Sequence, residues 1–176
     1  VHDERTGAPS NIGLGTERHD GVFYVGAEDG VYRHVPAADA RRGKFERVPG
    51  PAFFAQAMCA HRSGLLAAGD HGLYRVVDGA FVLECPLAEG VYGLGAARDD
   101  PDRIFAVGAE SIRTLYWNGS VWKDEGKVDG FLCDVTSLAE DREGDLWGGT
   151  SSRGLFRLRR LPGHRDWQTA QCTFYG

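Results

Sequence analysis

The stretch LAEDREGDLWGGTSSRGLFRL, residues 138–158, holds a charged tight turn, a Trp, two consecutive glycines and a second apolar strand pattern. Acidic residues beside Gly-Gly and Ser-Ser suggest a metal or phosphate loop. The same residues also describe two short strands joined by a polar turn. The choice is settled by asking whether the pattern occurs once or many times.

It occurs four times. With LWGGT aligned on Gly149, the same shape appears in FYVGA at Gly26, LLAAG at Gly69 and FAVGA at Gly108, at spacings of 43, 39 and 41 residues. After the glycine comes a short polar turn and then Gly-Val-Tyr-Arg from Gly30, Gly-Leu-Tyr-Arg from Gly72 and Gly-Leu-Phe-Arg from Gly154. The third repeat reads ESIRTLYW at that point, so its turn is expected to be built differently. Ahead of each central strand lie a polar turn (ERHDG, HRSG, DDPDR or DREGD) and an apolar or Gly-rich segment (IGLG, AQAM, YGLG or VTSL). Each repeat closes with KFERVPGP, AFVLECP, SVWKDEG or DWQTAQCTFYG, with prolines at the breaks, where a residue that cannot donate to a ladder belongs. PAADARR is the nearest thing to a helical pattern, and it is short.

Four short strands in about 41 residues, with aromatics in step, describe the blade of a β-propeller, whose units bury their faces only against one another. The predicted fold class is therefore all-β, with a polar tail at 1–10 and a propeller over 11–176, in blades of about 11–50, 51–88, 89–129 and 130–176. Four blades make a small closed propeller or part of a larger one. The ring is closed by packing between blades, by a cysteine pair, by a second copy, or by blades beyond this sequence.

Composition narrows the function classes. The chain has 176 residues, 42% hydrophobic, which suffices for a packed core. Its 25 acidic and 20 basic residues are mixed along the chain, without the basic block that nucleic acid requires. It holds no apolar run of about 18–20 residues, so membrane insertion is not expected. Cys59, Cys85, Cys133 and Cys172 allow three pairings if oxidised, and their wide spacing suggests neither zinc nor a redox CxxC. Cys133 and Cys172 share blade four. The sequon Asn118-Gly119-Ser120 reads as a turn between two aromatic strands.

The segment VTSLAEDREGDLWGGTSSRGLFRL, Val135 to Leu158, resembles the repeat of two-component regulator propellers, roughly V-x-x-[IL]-x-x-D-x-x-G-x-[IL]-W-[IV]-G-T-x-x-G-[IL]. It departs at Gly148, where that pattern has Ile or Val, and the lost side chain is expected to loosen the blade. Blades one and two look like the sialidase-like and xyloglucanase-like propellers over Phe23 to Gly50. The Asp-box of those enzymes is missing, since the corresponding turn reads AADARRGKF. The regulator resemblance implies an extracytoplasmic sensing module, periplasmic or secreted, of bacterial signalling proteins.

If the first strand of each repeat is innermost, the turns after the aligned glycines share one rim with the links between blades. This rim carries Glu28, Asp29, Asp70, His71, Glu110, Ser111, Ser151, Ser152 and Arg153, with Glu89 and Asp129 from the links nearby. Such a rim suits a non-enzymatic binding or sensing role toward a small molecule, glycan or protein. The alternative is a propeller lyase or glycoside hydrolase using Glu28, Asp70, His71 and Glu110 as acid and base, which needs a carboxylate pair about 5–9 Å apart in a pocket. Acidic turn residues also cap local amides with no further role. The glycines precede strands rather than a helix N-terminus, which excludes a phosphate loop. DREGD and ARDDPDR lack the glycine and distal Glu of a calcium loop. No cofactor and no metal is called for. Trp147, Phe156, Tyr74, Tyr32 and Phe23 occupy repeat positions suited to packing between blades, whereas Trp117, Trp122 and Trp167 fall toward outer strands.

Overall fold

The computed structural model describes residues 15–37 and 43–176. The expected tail at 1–10, Gly13 and most of PAADARR lie outside the described residues. The described chain is all-β, in four antiparallel four-stranded sheets. Blade one holds β1 (Thr16–His19), β2 (Val22–Ala27), β3 (Gly30–Val35) and β4 (Lys44–Arg47). Blade two holds β5 (Ala57–His61), β6 (Gly64–Gly69), β7 (Gly72–Val77) and β8 (Ala80–Pro86). Blade three holds β9 (Gly93–Ala96), β10 (Arg103–Val107), β11 (Ile112–Trp117) and β12 (Trp122–Lys127). Blade four holds β13 (Val135–Glu140), β14 (Leu146–Thr150), β15 (Leu155–Arg159) and β16 (Gln171–Tyr175). Every sheet is a simple meander in chain order, as expected when short strands are joined by tight turns. Among the described residues no helix is long and apolar enough to cross a membrane.

The chain divides into two compact units, residues 1–88 and 89–176, each a pair of blades with its own core. Within each unit the first strands of the two blades meet, β1 with β5 and β9 with β13, which makes the first strand innermost. In the first unit Val31 of blade one packs with Leu65, Ala67, Tyr74 and Phe81 of blade two, and Phe53 from the connecting link lies among them. Phe53 stacks on Tyr74 with ring centres 3.7 Å apart and meets Phe81 edge-on at 6.0 Å. The second unit repeats the device. Link residue Phe131 packs on Phe156 at 4.8 Å, among Phe105 and Ile112 of blade three and Leu146 and Leu158 of blade four.

Strand register corrects the sequence frame. Gly30 pairs with Ala27 and Gly72 with Gly69, so Gly69 sits one residue later in its strand than Gly26. A one-residue offset turns a side chain to the opposite face. The two glycines consequently face each other's side of the link: a Cβ on Gly26 would strike the Ala55 carbonyl, and one on Gly69 the Phe54 carbonyl. The link threads between blades because both sides lack a side chain.

At Gly148 the absent side chain leaves no gap. Its strand partner Phe156 is fully buried, and its ring occupies the space where a Cβ would stand. The glycine is the complement of a large neighbour. The third blade does build its turn differently: Ser111 stands where Gly30 and Gly72 adopt φ of +135° and +131°. The Gly108 amide bonds to the Ser111 carbonyl at 2.9 Å.

The aromatic expectations divide by face. Tyr74 and Phe156 are buried between blades. Tyr32 and Phe23, on the face of blade one turned away from blade two, and Trp147, on the face of blade four turned away from blade three, are half-buried or exposed. Trp117 and Trp122 are buried and pair across β11 and β12 with rings 5.6 Å apart. Trp167 lies outside β16, in the link from β15, and is buried edge-on against Phe105 at 5.0 Å. The link is held to blade three by the Asp129 amide on the Gln168 carbonyl (2.7 Å) and by Gln168 Nε2 on the Glu125 carbonyl (2.7 Å).

Candidate functional site

In the first unit, the link from β4 to β5 runs along the end that holds the β2–β3 and β6–β7 turns. The Ala55 amide bonds to the Ala27 carbonyl at 2.9 Å, the Gln56 amide to the Ala68 carbonyl at 2.9 Å, and the Phe54 amide to Asp70 Oδ1 at 3.2 Å. Glu28, Asp29, Asp70 and His71 are all exposed at this end. Asp29 Oδ2 accepts from Tyr32 Oη at 3.0 Å, while its carbonyl accepts from Arg47 Nε (3.0 Å) and Nη2 (2.6 Å). Arg47 also reaches the carbonyl of Pro51 at 3.1 Å, tying turn to link. Burial, then the bond to Asp29, raises the Tyr32 hydroxyl above its ordinary pKa. His71 Nε2 lies 3.5 Å from Asp70 Oδ2, and the imidazole is 64% exposed. The structure therefore brings Asp70 and His71 together, and places Glu28 and Asp29 on the matching turn of the adjoining blade.

The second unit uses its corresponding residues differently. Glu110 is exposed, but Ser111 is buried and its hydroxyl donates to Glu89 Oε1 at 2.8 Å. Glu89 also accepts from Arg113 Nη2 at 3.0 Å and Lys127 Nζ at 2.9 Å, and Arg113 pairs in turn with Asp124. Burial pushes the Glu89 carboxyl up, but the hydrogen bonds from Lys127, Ser111 and Arg113 outweigh it and hold the group below its ordinary value. Glu89 and Ser111 thus brace the blade-three turn. Ser151 donates to Asp134 Oδ2 at 3.4 Å, and Ser152 is exposed. Arg153 lays its guanidinium over the Phe174 ring at 3.8 Å and donates to Cys133 Sγ at 3.4 Å, so it covers the core at this end. Cys133 and Cys172 of blade four are free thiols.

The DREGD turn closes on itself. Asp141 Oδ1 accepts the amides of Glu143 (3.0 Å) and Asp145 (2.9 Å), and its Oδ2 accepts Trp147 Nε1 at 2.7 Å. The Asp145 amide, then the Trp147 indole, holds the Asp141 carboxyl below its ordinary value. Asn118 does the same locally, its Oδ1 accepting the amides of Ser120 (3.0 Å) and Val121 (2.9 Å) at the sequon turn. These are the self-capping turns that Asp and Asn form.

Two charge networks went unread in the sequence. Asp145, its side chain 6% exposed, is gripped by Arg157 and by Arg159 Nη2 at 2.8 Å. Arg103, 9% exposed, pairs with Asp100 and with both oxygens of Glu125 at 2.7 and 2.9 Å. The alternation Arg157-x-Arg159 was the one available sign, since residues two apart share a strand face. Arg103 and Glu125, with Asp100 and Tyr116, line a cleft of about 420 Å³ at the end opposite the turns after β10 and β14. A cleft of about 180 Å³ lies between β9 and β13, lined by Tyr92, Leu94, Val107 and Leu138, and one of about 310 Å³ beside Phe23, His34 and Pro36. None of these three is lined by Glu28, Asp70, His71 or Glu110. Among the described residues no three His, Cys, Asp or Glu side chains converge as metal ligands.

No protein-family model and no curated protein matches the chain. Solved structures do. The β-propeller domain of Cps50 (Swd1) from Myceliophteria thermophila is similar with a TM-score of 0.61 and 15% identity, over 85% of this chain and 52% of that one. The PQQ domain of a pyranose dehydrogenase from Coprinopsis cinerea, in its holo form, is similar with a TM-score of 0.52 and 12% identity, over 95% of this chain and 48% of that one. The chain spans about half the length of these structures. Four meander sheets with innermost first strands, and this likeness, give the chain a β-propeller fold.

Proposed function

We propose that this chain is a non-enzymatic binding module, and that the rim formed by its turns and links is the surface it presents. The observation that carries this reading is the state of the rim carboxylates. Asp70 caps the Phe54 amide and Asp29 is bonded to Tyr32, so each is fixed in place while its charge stays exposed to solvent. Acid–base catalysis asks for the reverse: a sheltered pair with environments that drive the two groups apart. Asp29 and Asp70, with Glu28 exposed beside Asp29, instead offer exposed negative charge on anchored turns, which favours a partner with basic side chains through steering and long-range attraction. A protein partner fits this surface better than a small molecule, because the three clefts described above lie elsewhere.

The blade-four repeat from Val135 to Leu158 supports a grouping with regulator propellers, and with it an extracytoplasmic sensing role in blades of about 11–50, 51–88, 89–129 and 130–176.

The test uses a fluorescent Lys-rich peptide and the whole chain. Binding should weaken with added salt and fall several-fold in Glu28→Gln/Asp29→Asn/Asp70→Asn, with unchanged circular dichroism, since each lost surface charge is worth about 0.2–1 kcal/mol. Turnover of p-nitrophenyl glycosides, abolished by Glu28→Gln or Asp70→Asn, would establish the hydrolase instead.

A further inference from the structure

Strand register makes the blades comparable position by position, and one pair of faces breaks the pattern. Within each unit the core has the same recipe. The earlier blade contributes the first apolar residue of its third strand, Val31 or Ile112, exposed by 1% and 0%. The later blade contributes the first apolar residue of its second strand and the aromatic of its third: Leu65 and Tyr74 in blade two, Leu146 and Phe156 in blade four, all exposed by 2% or less. Blade one carries aromatic residues at the same register positions, Phe23 and Tyr32. Phe23 is 41% exposed, Tyr32 is half-buried, and His34 and Phe45 lie side by side on the same face, their rings tilted and 5.3 Å apart.

Blade four carries the earlier-blade set on its far face. Leu155 stands where Val31 and Ile112 stand and is 54% exposed. Beside it Tyr175, 44% exposed, stacks on Trp147 at 5.4 Å. The guanidinium of Arg157 lies 5.3 Å from the Trp147 ring. Each face therefore has the residue types of a blade–blade interface, and neither is covered as its counterparts are. A blade cannot bury its faces alone, and a repeat face that ends in water is normally polar. These two are apolar and aromatic.

We propose that these faces dock on one another between copies of the chain, blade four of one molecule against blade one of the next. This rests on the propeller fold and not on the rim reading. Complementarity names the occupant: one chain bears both halves of the interface that its own units make internally, so a second copy supplies the matching half to each exposed face. The chain matches only about half of each solved propeller that resembles it, which leaves room in such an assembly for a second copy. Such a contact is head-to-tail, and it yields a closed assembly or a growing chain according to the rotation it imposes.

The experiment is light scattering on the whole chain across a concentration series up to about 100 µM, in the range where modest interfaces are populated. A mass of two chains or a rising mass supports the proposal, and the two outcomes distinguish closed from open association. Leu155→Glu and Phe23→Glu, each at an exposed position and so expected to fold, should each return the protein to monomer, while Glu28→Gln should not. A monomer across the whole series overturns the proposal, as does an oligomer that both face variants leave intact. Loss of peptide binding in the rim variants leaves this result untouched, so the two readings fail separately.

Discussion

Gly148 shows how a single residue can be misread when its partner is unknown. The regulator-propeller pattern has a branched aliphatic there, and its replacement by glycine reads as a loss. In the folded blade the Phe156 ring fills that space, so the volume is conserved across the β14–β15 pair. Interiors packed at crystal density tolerate swaps that conserve volume and resist those that add it. Gly148→Val, although it matches the regulator-propeller pattern, should destabilise by about 1–3 kcal/mol in urea unfolding. Combined with Phe156→Ala it should cost less than the sum of the two single changes, because the residues touch. Asp145 belongs to the same scale: a nearly buried carboxylate is tolerable because two guanidinium groups meet it.

At the level of the element, the β15–β16 link does more than connect. Eleven residues separate Arg159 from Gln171, where blades two and three use turns of two and four residues, and the extra length carries Trp167 into the core of the second unit. There it meets Phe105 of the neighbouring blade, and Arg160 covers it with its guanidinium 4.9 Å from the ring. A buried Trp contributes more than any residue of an exposed turn, and a link tied to the next blade staples two sheets together. Trp167→Ala should cost about 3–5 kcal/mol, the range for removing a large buried aromatic, with the loss read as a lowered midpoint of unfolding. The inter-blade links carrying Phe53 and Phe131 work by the same logic, each inserting one ring between two sheets.

For the molecule as a whole, ion pairs set the response to acid. Burial raises the Glu125 carboxyl, but the hydrogen bonds from Arg103 and Thr114 prevail and hold it below its ordinary value of 4.5; Glu89 is held down likewise. A carboxyl whose folded pKa is depressed contributes stability that is fully present above the unfolded value and lost as pH falls through the folded one. Thermal stability should therefore be level above about pH 5 and decline as the pH drops below about 4.5. Glu89→Gln and Glu125→Gln should be less stable than the parent at pH 7 and converge toward it in acid. The rim acids, mounted on exposed turns, lie outside this account.

Much of the architecture was legible in the chain. Four repeats of strand, turn and strand, with Gly-Val-Tyr-Arg and its variants in step, were enough to name four meander blades, because alternation and turn chemistry act over a few residues. The altered third turn could be read for the same reason, from the missing glycine before Ile112. Pairing across the sheet could not be read. The offset between Gly26 and Gly69, the ring standing in for a side chain at Gly148, the burial of Ser111 against Glu89 and the contact of Arg153 with Phe174 all depend on what lies opposite. Local sequence determined which segments become strands and where they turn. Tertiary packing decided which faces are covered and which charges are consumed, since burial and hydrogen bonding are settled between residues far apart in the chain.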